Sequence, residues 1–301
     1  MRILITGITG FVGGHLAEAL AGPHAVTGIS RKPGHHAADL LDPASLDSAL
    51  SLVRPEWIVH LAGFANTGAS FKTPDACWRD NLTATLSLYD AVVRSGLRPR
   101  ILFASTGLIY GDPDEPHRPC DEFTTLKPAS PYAASKAAAD LASFQYTRNP
   151  GLDIVRIRLF NQIGPRQSAD YAVANFARQI AAIEAGKQEP RIETGDLSAQ
   201  RDLTDIRDTV RAFPLLLEKG ISGEAYNAGR GETFSMQSIL DRLVAMSKVK
   251  VDVVQRADRK ADTAITRADA SKLKQTTGWE PRIGLDDTLA AILAWWRARR
   301  D

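Results

Sequence analysis

Short apolar runs alternate with amphipathic stretches along the first half of the chain, which has 301 residues in all. This alternation is typical of βαβ units, which form a parallel sheet with helices on both faces. The predicted strands are Arg2–Thr6, Ala25–Ser30, Trp57–Ala62, Ile101–Ser105 and Asp153–Phe160, and the predicted helices are Gly13–Ala21, Pro43–Val53, Trp78–Ser95 and Pro131–Asn149. The pattern therefore predicts an α/β domain with a doubly wound parallel sheet.

The alternation of apolar runs and amphipathic stretches becomes less regular after Asn161. The second half predicts helices over Tyr171–Ala185, Asp205–Lys219 and Ser235–Met246, a strand over Glu224–Ala228, a polar stretch ending at Arg201, and a docked terminal helix that includes Leu289–Arg297. We expect residues 1–165, with returning segments near 203–230, to form the first domain. Residues 166–301 are expected to form most of a smaller, interleaved domain, with a ligand cleft beyond the carboxyl ends of the strands.

Composition excludes several functional classes. The 37 basic and 35 acidic residues leave a formal charge of +2, too balanced for a protein that coats nucleic acid or anionic lipid. Polar residues interrupt the apolar start of the chain, so we expect neither a signal peptide nor a membrane span. Cys77 and Cys120 form neither a disulfide framework nor a metal-ligand pattern, which predicts a cytoplasmic protein without a structural metal.

A glycine-rich turn follows the first predicted strand and leads into the first helix. Glycines in this position permit a tight turn and let the backbone approach a pyrophosphate, whose charge the helix N-terminus stabilises. The turn therefore predicts a Rossmann-like dinucleotide site, and its GxxGxxG spacing resembles that of the short-chain dehydrogenase/reductases. The cofactor residues predicted in this segment are Gly7, Thr9, Gly10, Phe11, Val12 and Gly13.

The end of the second strand bears on the choice of dinucleotide. A carboxylate there would bind the adenosine ribose of NAD, whereas a cation accommodates the 2′-phosphate of NADP. The sequence has Ser30 and Arg31 and no carboxylate, so NADP(H) is favoured over NAD(H), with a solvated basic loop as the alternative. Further cofactor contacts are predicted at Asp39, Leu40, Leu61, Ala62, Gly63 and Asn81, whereas His60 is interpreted as a packed strand histidine.

Tyr132 and Lys136 lie four residues apart after a proline that begins a helix, which places them on one face. An ammonium group beside a phenol is expected to lower the phenol's pKa toward neutrality. The pair is therefore predicted to contact the cofactor and to exchange a proton with a carbonyl or alcohol oxygen while a hydride moves at the carbon.

A third hydroxyl comes from the segment Ser105-Thr106-Gly107-Leu108-Ile109-Tyr110-Gly111. Together with the glycine turn and the Tyr-Lys pair, this segment resembles the extended short-chain dehydrogenase/reductases that act on nucleotide sugars. The resemblance implies that Thr106 is the catalytic hydroxyl and also contacts the substrate. Sugar-nucleotide 4,6-dehydratases carry an Asp-Glu pair after that hydroxyl, but Gly107 and Leu108 stand here, so dehydration is not expected.

The resemblance extends over the whole chain through six further segments, namely Arg158–Pro165, Phe176–Ile180, Gly195–Leu197, Gln200–Asp208, Ala225–Gly229 and Thr277–Pro281. Their order and spacing are similar to those of the GDP-4-dehydro-6-deoxy-D-mannose reductases, which reduce a 4-keto sugar to GDP-D-rhamnose. By this resemblance Asn161 meets the nucleotide sugar, and Arg201 and Arg259 are the candidates for binding its diphosphate. The sequence departs from the family pattern at Gln162, at Arg166 and in the Arg259-Lys260-Ala261-Asp262 segment.

Three functions are compatible with the sequence. The first is a reductase that consumes NADPH, the second is a nucleotide-sugar 4-epimerase with a retained NAD, and the third is a non-catalytic dinucleotide sensor. The complete set of Thr106, Tyr132 and Lys136 favours an enzyme over a sensor. A homodimer is expected, and the base of the nucleotide and the hexose stay open.

Overall fold

The structure is a computed structural model and describes residues 1–30, 35–112, 118–255 and 265–299. Within these ranges the strands are β1 (Arg2–Thr6), β2 (Ala25–Ser30), β3 (His36–Ala37), β4 (Trp57–His60), β5 (Arg100–Thr106), β6 (Asp153–Leu159), β7 (Asn161–Ile163), β8 (Arg191–Thr194), β9 (Gln200–Asp205), β10 (Ala225–Ala228), β11 (Thr233–Ser235), β12 (Asp252–Gln255) and β13 (Ile265–Thr266). The helices are α1 (Phe11–Leu20), α2 (Pro43–Val53), α3 (Thr67–Ser70), α4 (Pro74–Trp78), α5 (Ala84–Ser95), α6 (Pro131–Arg148), α7 (Ala172–Glu184), α8 (Ile206–Lys219), α9 (Met236–Ala245), α10 (Ser271–Thr277) and α11 (Leu285–Ala298).

The large sheet has seven parallel strands in the order β10-β6-β5-β4-β1-β2-β3. Strand β4 is buried along its whole length, and β5 and β6 are buried except at their first residue, because helices cover both faces of the sheet. The chain leaves β1 toward β2 and later returns to its other side with β4. The strand order therefore reverses between β1 and β4, which is where open α/β sheets bind ligands. The predicted doubly wound α/β fold is confirmed.

The chain returns to this sheet late in the sequence. Helix α8 packs on α1, and β10 extends the sheet beside β6. Leu273 and Trp279 join the same hydrophobic core as Ile5 and Phe213. A separate core holds α7, α9 and α11 together, around Ile180, Leu240 and Leu289. The predicted domain boundaries stay a prediction.

Several predicted bounds were wrong. The helix expected over Trp78–Ser95 is instead α4, a π-helical turn over Arg79–Thr83 and then α5. The polar stretch before Arg201 contains β8 and the start of β9. Strand β8 pairs with β12 in a two-stranded sheet, and β9 lies in a separate four-stranded sheet. Strand β8 alternates exposed and buried residues, so only two of its four side chains are buried, and it does not read as an apolar run.

Candidate active site

The glycine turn after β1 has the backbone geometry of a dinucleotide cradle. Gly7 has a φ of +73°, and a Cβ on it would lie 2.7 Å from the Ala62 nitrogen. A Cβ on Gly13 would lie 2.3 Å from the Gly7 carbonyl oxygen, so helix α1 can approach β1 this closely only with glycine there. Among the described residues no side chain caps α1, and its first turn has no acidic residue. The turn therefore fits a pyrophosphate.

A cavity of about 750 Å³ extends from this turn across the carboxyl ends of the central strands. It is lined by all the described residues that the sequence analysis assigned to cofactor, substrate or catalysis, namely Gly7, Thr9, Gly10, Phe11, Val12, Gly13, Ser30, Asp39, Leu40, Leu61, Ala62, Gly63, Asn81, Thr106, Tyr132, Lys136, Asn161 and Arg201. Their individual roles stay predictions. Arg31 and Arg259, the two remaining candidates, lie outside the described residues.

The three candidate catalytic side chains come from β5 and α6. Ser130 caps α6 by accepting a hydrogen bond from the Ala133 nitrogen at 3.1 Å, and Pro131 occupies the first turn. This start places Tyr132 against the end of β5, where its hydroxyl lies next to that of Thr106. One turn later, the Lys136 ammonium group is buried, donates to the Ala104 carbonyl at 2.5 Å and lies 4.4 Å from the centre of the Phe103 ring.

The pKa of Tyr132 corrects an expectation of the sequence analysis. Burial raises this pKa to about 12, and the neighbouring Thr106 hydroxyl acts in the opposite direction without offsetting it. Burial also lowers the pKa of Lys136 to about 8, and the negative charge of Asp140 opposes that shift. The expected lowering of the Tyr132 pKa was therefore wrong: in these surroundings the phenol stays protonated at neutral pH.

Asn81 and Gly63 form part of the cavity wall next to α6. The Asn81 amide nitrogen donates to the Ser135 hydroxyl at 2.9 Å, which turns its amide oxygen the other way. That oxygen is buried and has no hydrogen-bond partner within the described part of the chain. A Cβ on Gly63 would lie 2.4 Å from it, so the glycine leaves room for the oxygen. An acceptor of this kind fits a ligand that brings a hydrogen-bond donor.

The candidate substrate residues Asn161 and Arg201 lie on β7 and β9, and both line the cavity. The Asn161 amide donates to the Asp202 carbonyl at 3.4 Å, a long hydrogen bond that leaves it available to a ligand. Asp202 is buried, and its carboxylate accepts three backbone hydrogen bonds, from Arg230, Gly231 and Ala268 at 2.8, 2.9 and 3.0 Å. These bonds hold β9 in place, and with it Arg201.

Two of the departures from the family pattern have structural roles. The Gln162 side chain donates to the Phe160 carbonyl, and the Gln162 carbonyl accepts from the Gln167 amide at 2.8 Å. Arg166 has a φ of +73°, and its guanidinium binds the Glu18 carboxylate with two contacts of 2.5 and 3.0 Å. This ion pair joins α1 to the segment that follows β7. The third departure, from Arg259 to Asp262, lies outside the described residues.

Gln167 and Tyr171 are among the cavity residues that were not predicted from the sequence. The Tyr171 hydroxyl donates to the Ala65 carbonyl at 3.2 Å, so its side chain crosses the cavity from the start of α7 to the loop after β4. The side-chain oxygen of Gln167 is buried with no partner in the described ranges. Neither residue belongs to a sequence motif of known spacing. The only sequence signal at Tyr171 is its position at the start of a predicted helix.

Membrane spans and metal clusters are both absent from the described residues. Within these residues, no helix has the length and apolar character needed to cross a membrane. Nor do they contain a group of three His, Cys, Asp or Glu side chains arranged to hold a metal ion.

Comparisons with known proteins agree with this geometry. Residues 4–292 match the family described as GDP-mannose 4,6 dehydratase. The GDP-6-deoxy-D-mannose reductase of Pseudomonas aeruginosa is 34% identical over 300 residues, which cover 99% of this chain and 98% of that protein.

Solved structures extend the comparison. The structure of RMD from Pseudomonas aeruginosa in complex with NADPH superimposes with a TM-score of 0.91 at 34% identity, and 99% of each chain is covered. The UDP-glucose 4-epimerase of Thermus thermophilus in complex with NAD gives a TM-score of 0.89 at 27% identity, again over 99% of each chain. The chain therefore belongs to the GDP-mannose 4,6 dehydratase family and is an NAD(P)-dependent enzyme of the extended short-chain dehydrogenase/reductase type.

Proposed function

We propose that the enzyme uses NAD(P)H to reduce the 4-keto group of a nucleotide sugar. One observation carries the proposal: the neighbouring residues Thr106 and Tyr132 line the same cavity as the glycine turn and Arg201. A carbonyl bound at these two hydroxyls would have a dinucleotide at the glycine turn and the guanidinium of Arg201 in the same cavity.

The side chains supply the proton and hold the reacting oxygen. When bound, the dinucleotide provides the hydride that reduces the carbonyl carbon. Tyr132 donates its phenolic proton to the carbonyl oxygen as the C–H bond forms, and the C=O bond becomes an alcohol. Thr106 hydrogen-bonds the same oxygen, so charge is neutralised as it develops. The raised pKa of Tyr132 suits this role, because an acid must hold its proton until the hydride arrives.

The positions after Thr106 do not favour dehydration. Elimination of water from the sugar needs an acid/base pair, and Gly107 and Leu108 cannot provide one. A Cβ on Gly107 would lie 2.8 Å from the Phe160 ring, so this position has no room for an aspartate unless the ring moves. This packing supports a reductase within a family that is described by a dehydratase.

For the substrate we propose GDP-4-dehydro-6-deoxy-D-mannose, reduced to GDP-D-rhamnose. Support comes from the name of the Pseudomonas aeruginosa relative, a GDP-6-deoxy-D-mannose reductase. Arg201 lines the cavity and is proposed to bind the diphosphate with its guanidinium. Arg259 is proposed to assist, and Asn161 to contact the nucleotide sugar.

NADP(H) is proposed as the preferred cofactor. Ser30 ends β2 at the cavity. The next residue in the sequence is Arg31, whose guanidinium would bind the 2′-phosphate. Replacing Arg31→Asp should reverse the preference, because loss of a phosphate contact and the new repulsion are together worth roughly 1–3 kcal/mol, about 5–150-fold. Equal kcat/KM for NADH and NADPH in the unaltered enzyme would contradict this preference.

The deciding experiment is to incubate the purified enzyme with NADPH and GDP-4-dehydro-6-deoxy-D-mannose and follow nicotinamide absorbance. We expect stoichiometric oxidation of NADPH and a 6-deoxyhexose product. GDP-mannose, which has no keto group, serves as the matched control substrate, and Tyr132→Phe as the control enzyme. Equally fast reduction of simple ketones would remove the nucleotide sugar from the proposal but keep the reductase.

A 4-epimerase with a retained NAD is the second candidate, favoured by the likeness to the Thermus thermophilus epimerase. It would use the same Thr106, Tyr132 and Lys136. Given UDP-glucose in place of the GDP-linked keto sugar and no added NADPH, an epimerase would form UDP-galactose with no net change in nicotinamide absorbance.

We also propose a cytoplasmic homodimer. Cys77 and Cys120 are both buried and unpaired, as suits a reducing compartment. On α6, Leu141 and Phe144 are 56% and 37% exposed on adjacent turns of one face, where a second copy would cover them. Leu141→Glu should yield a monomer in light scattering, whereas Ile221→Glu, at another exposed apolar site, should leave the mass unchanged. A monomeric unaltered protein would refute the dimer.

A further inference from the structure

A row of buried polar side chains runs beneath the cavity from β1 to α6. The Thr6 hydroxyl contacts His60 Nδ1 at 2.7 Å, and His60 Nε2 contacts the Thr85 hydroxyl at 2.9 Å. The Thr85 hydroxyl in turn lies 2.6 Å from the Asn81 carbonyl oxygen. Thr6, His60, Thr85 and Asn81 are all at most 1% exposed. From the sequence, His60 is expected only to pack in its strand, and the proposed reaction does not use it.

The carbonyl oxygen at the Asn81 end of this row determines the direction of each hydrogen bond. A carbonyl oxygen only accepts, so the Thr85 hydroxyl must donate to Asn81 and can only accept from His60 Nε2. His60 therefore carries its proton on Nε2, and its Nδ1 accepts from the Thr6 hydroxyl. The Thr6 oxygen itself accepts from the Leu61 and Ala62 nitrogens at 3.2 and 3.1 Å. The protons thus all point the same way, toward Asn81.

Asn81 connects this row to the catalytic helix. Its amide nitrogen donates to Ser135 at 2.9 Å, and the Ser135 hydroxyl donates to the Tyr132 carbonyl at 2.9 Å. The amide orientation is therefore determined, with the oxygen at the cavity beside Gly63. Asn81 sits in a π-helical turn, where the backbone departs from α-helical hydrogen bonding and needs other contacts to hold its shape. The bond from Thr85 to its carbonyl is one of these contacts.

The other end of the row lies under the cofactor cradle. Thr6 directly precedes Gly7, the residue of positive φ that approaches the Ala62 nitrogen. The Thr6 oxygen thus joins the start of the glycine turn to the loop after β4, and both segments line the cavity. A ligand held by the turn and a ligand group at Asn81 therefore rest on one connected network.

We propose that His60 and Thr85 are positioning residues, whose one-directional hydrogen bonds hold Asn81 at the cavity and join the cofactor turn to the helix of Tyr132 and Lys136. His60 is kept neutral in this role, because a second ring proton would face the proton of Thr6. Burial, with the nearby charge of Lys136, lowers the pKa of His60 to about 3, in agreement with a neutral ring.

Substitution of Thr85 tests the proposal, with a matched control elsewhere in the fold. Thr85→Val keeps the shape but removes both hydrogen bonds, and we expect the dissociation constant for NADPH to rise about tenfold and kcat to fall severalfold. Thr85→Ser keeps the hydroxyl and should restore both values to within about twofold.

Thr277 provides the control. Its buried hydroxyl donates to the Leu273 carbonyl at 2.7 Å, four residues back, and accepts from the Trp279 nitrogen at 3.1 Å, away from the cavity. Thr277→Val should lower Tm about as much as Thr85→Val but leave NADPH affinity unchanged. Equal NADPH affinity in the Thr85→Val and Thr277→Val variants would reduce Thr85 to a structural role and overturn the proposal.

Two measurements decide the case if Thr85→Val does not fold. Imidazole ¹⁵N NMR of the unaltered protein at neutral pH should find His60 as the Nε2–H tautomer, and an Nδ1–H tautomer or a charged ring would refute the proposed direction. Ser135→Ala should weaken NADPH binding in the same sense as Thr85→Val, and unchanged binding would contradict the link to α6. Only the kcat readout rests on the proposed reductase function. If no keto sugar is reduced, the affinities and the tautomer still decide the role of His60 and Thr85.

Discussion

The side-chain nitrogen of Lys136 lies 2.5 Å from the carbonyl oxygen of Ala104, two residues before Thr106 on the same strand. The lysine thus joins the helix that carries Tyr132 to the strand that carries Thr106. Loss of its proton would weaken this bond and remove a positive charge from the site. The protonation of Lys136 is therefore expected to control activity at alkaline pH.

Because burial lowers the pKa of Lys136 to about 8, kcat/KM for reduction should fall as the pH rises through about 8. The charged form is the active one, so activity is retained below this pKa and lost above it. Asp140 and Cys77 are the charge neighbours that act on the group, and both raise its pKa. The pKa of Tyr132, about 12, lies too high to cause this limb.

The check is a pH profile of kcat/KM, which reports groups of the free enzyme. Lys136→Arg keeps its charge at every pH of the assay, so whatever activity it retains should show no alkaline limb near pH 8. An unaltered enzyme with a flat profile up to pH 10 would contradict the assignment.

The central strands β4, β5 and β6 of the large sheet could be predicted because they are apolar runs that are buried on both faces. The strands β7, β8 and β9 could not, since polar residues occupy most of their positions and they pair with strands far away in the sequence. Asp202 illustrates this, because its carboxylate binds backbone nitrogens of Arg230 and Ala268, 28 and 66 residues later. The π-helical turn at Asn81 likewise depends on the hydroxyl of Thr85 and has no hydrophobic pattern of its own.

Spacing predicted which residues meet in the cavity better than it predicted their chemistry. The interval of four residues places Tyr132 and Lys136 on one face of α6, but it does not tell where the ammonium group finds its acceptor. That acceptor, the Ala104 carbonyl, lies 32 residues away on β5. Burial then decides the pKa of Tyr132, and burial is a property of the packed fold.

Tyr132→Phe is expected to lower kcat by about 10²–10⁴-fold, because it deletes the proton donor. NADPH affinity should stay nearly unchanged, since the ring keeps its place on α6. Tyr171→Phe is the matched control: it removes another hydroxyl at the cavity, one that is bound to the Ala65 carbonyl, and should leave kcat within a few-fold. Steady-state kinetics and NADPH titration separate the two effects. Full activity in Tyr132→Phe would remove this residue from the mechanism.

Arg201→Ala is expected to raise KM for the nucleotide sugar and to lower kcat/KM. The loss of transition-state stabilisation should be about 1.5–3 kcal/mol, the usual contribution of a charge-assisted contact. The effect on kcat should be smaller, since the arginine is proposed to bind the diphosphate and not the reacting carbonyl. Arg191→Ala is the control, because Arg191 is an exposed arginine paired at 3.2 Å with its neighbour Glu193. If the two variants have the same kinetics with a GDP-linked keto sugar, Arg201 does not bind the diphosphate.

The adjacent glycines of α1 are expected to respond to alanine in opposite ways. A Cβ on Gly13 would lie 2.3 Å from the Gly7 carbonyl, so Gly13→Ala must push the helix away from the turn. It should destabilise the fold by about 1–3 kcal/mol and abolish NADPH binding. A Cβ on Gly14 would have its nearest neighbour, the Ile8 oxygen, at 3.9 Å, which is an ordinary contact. Gly14→Ala should therefore stabilise the enzyme by about 0.5–1 kcal/mol through helix propensity. Urea unfolding and NADPH titration of both variants test this, and a destabilised Gly14→Ala with weakened binding would show that the approach of α1 to β1 is tighter than the structure has it.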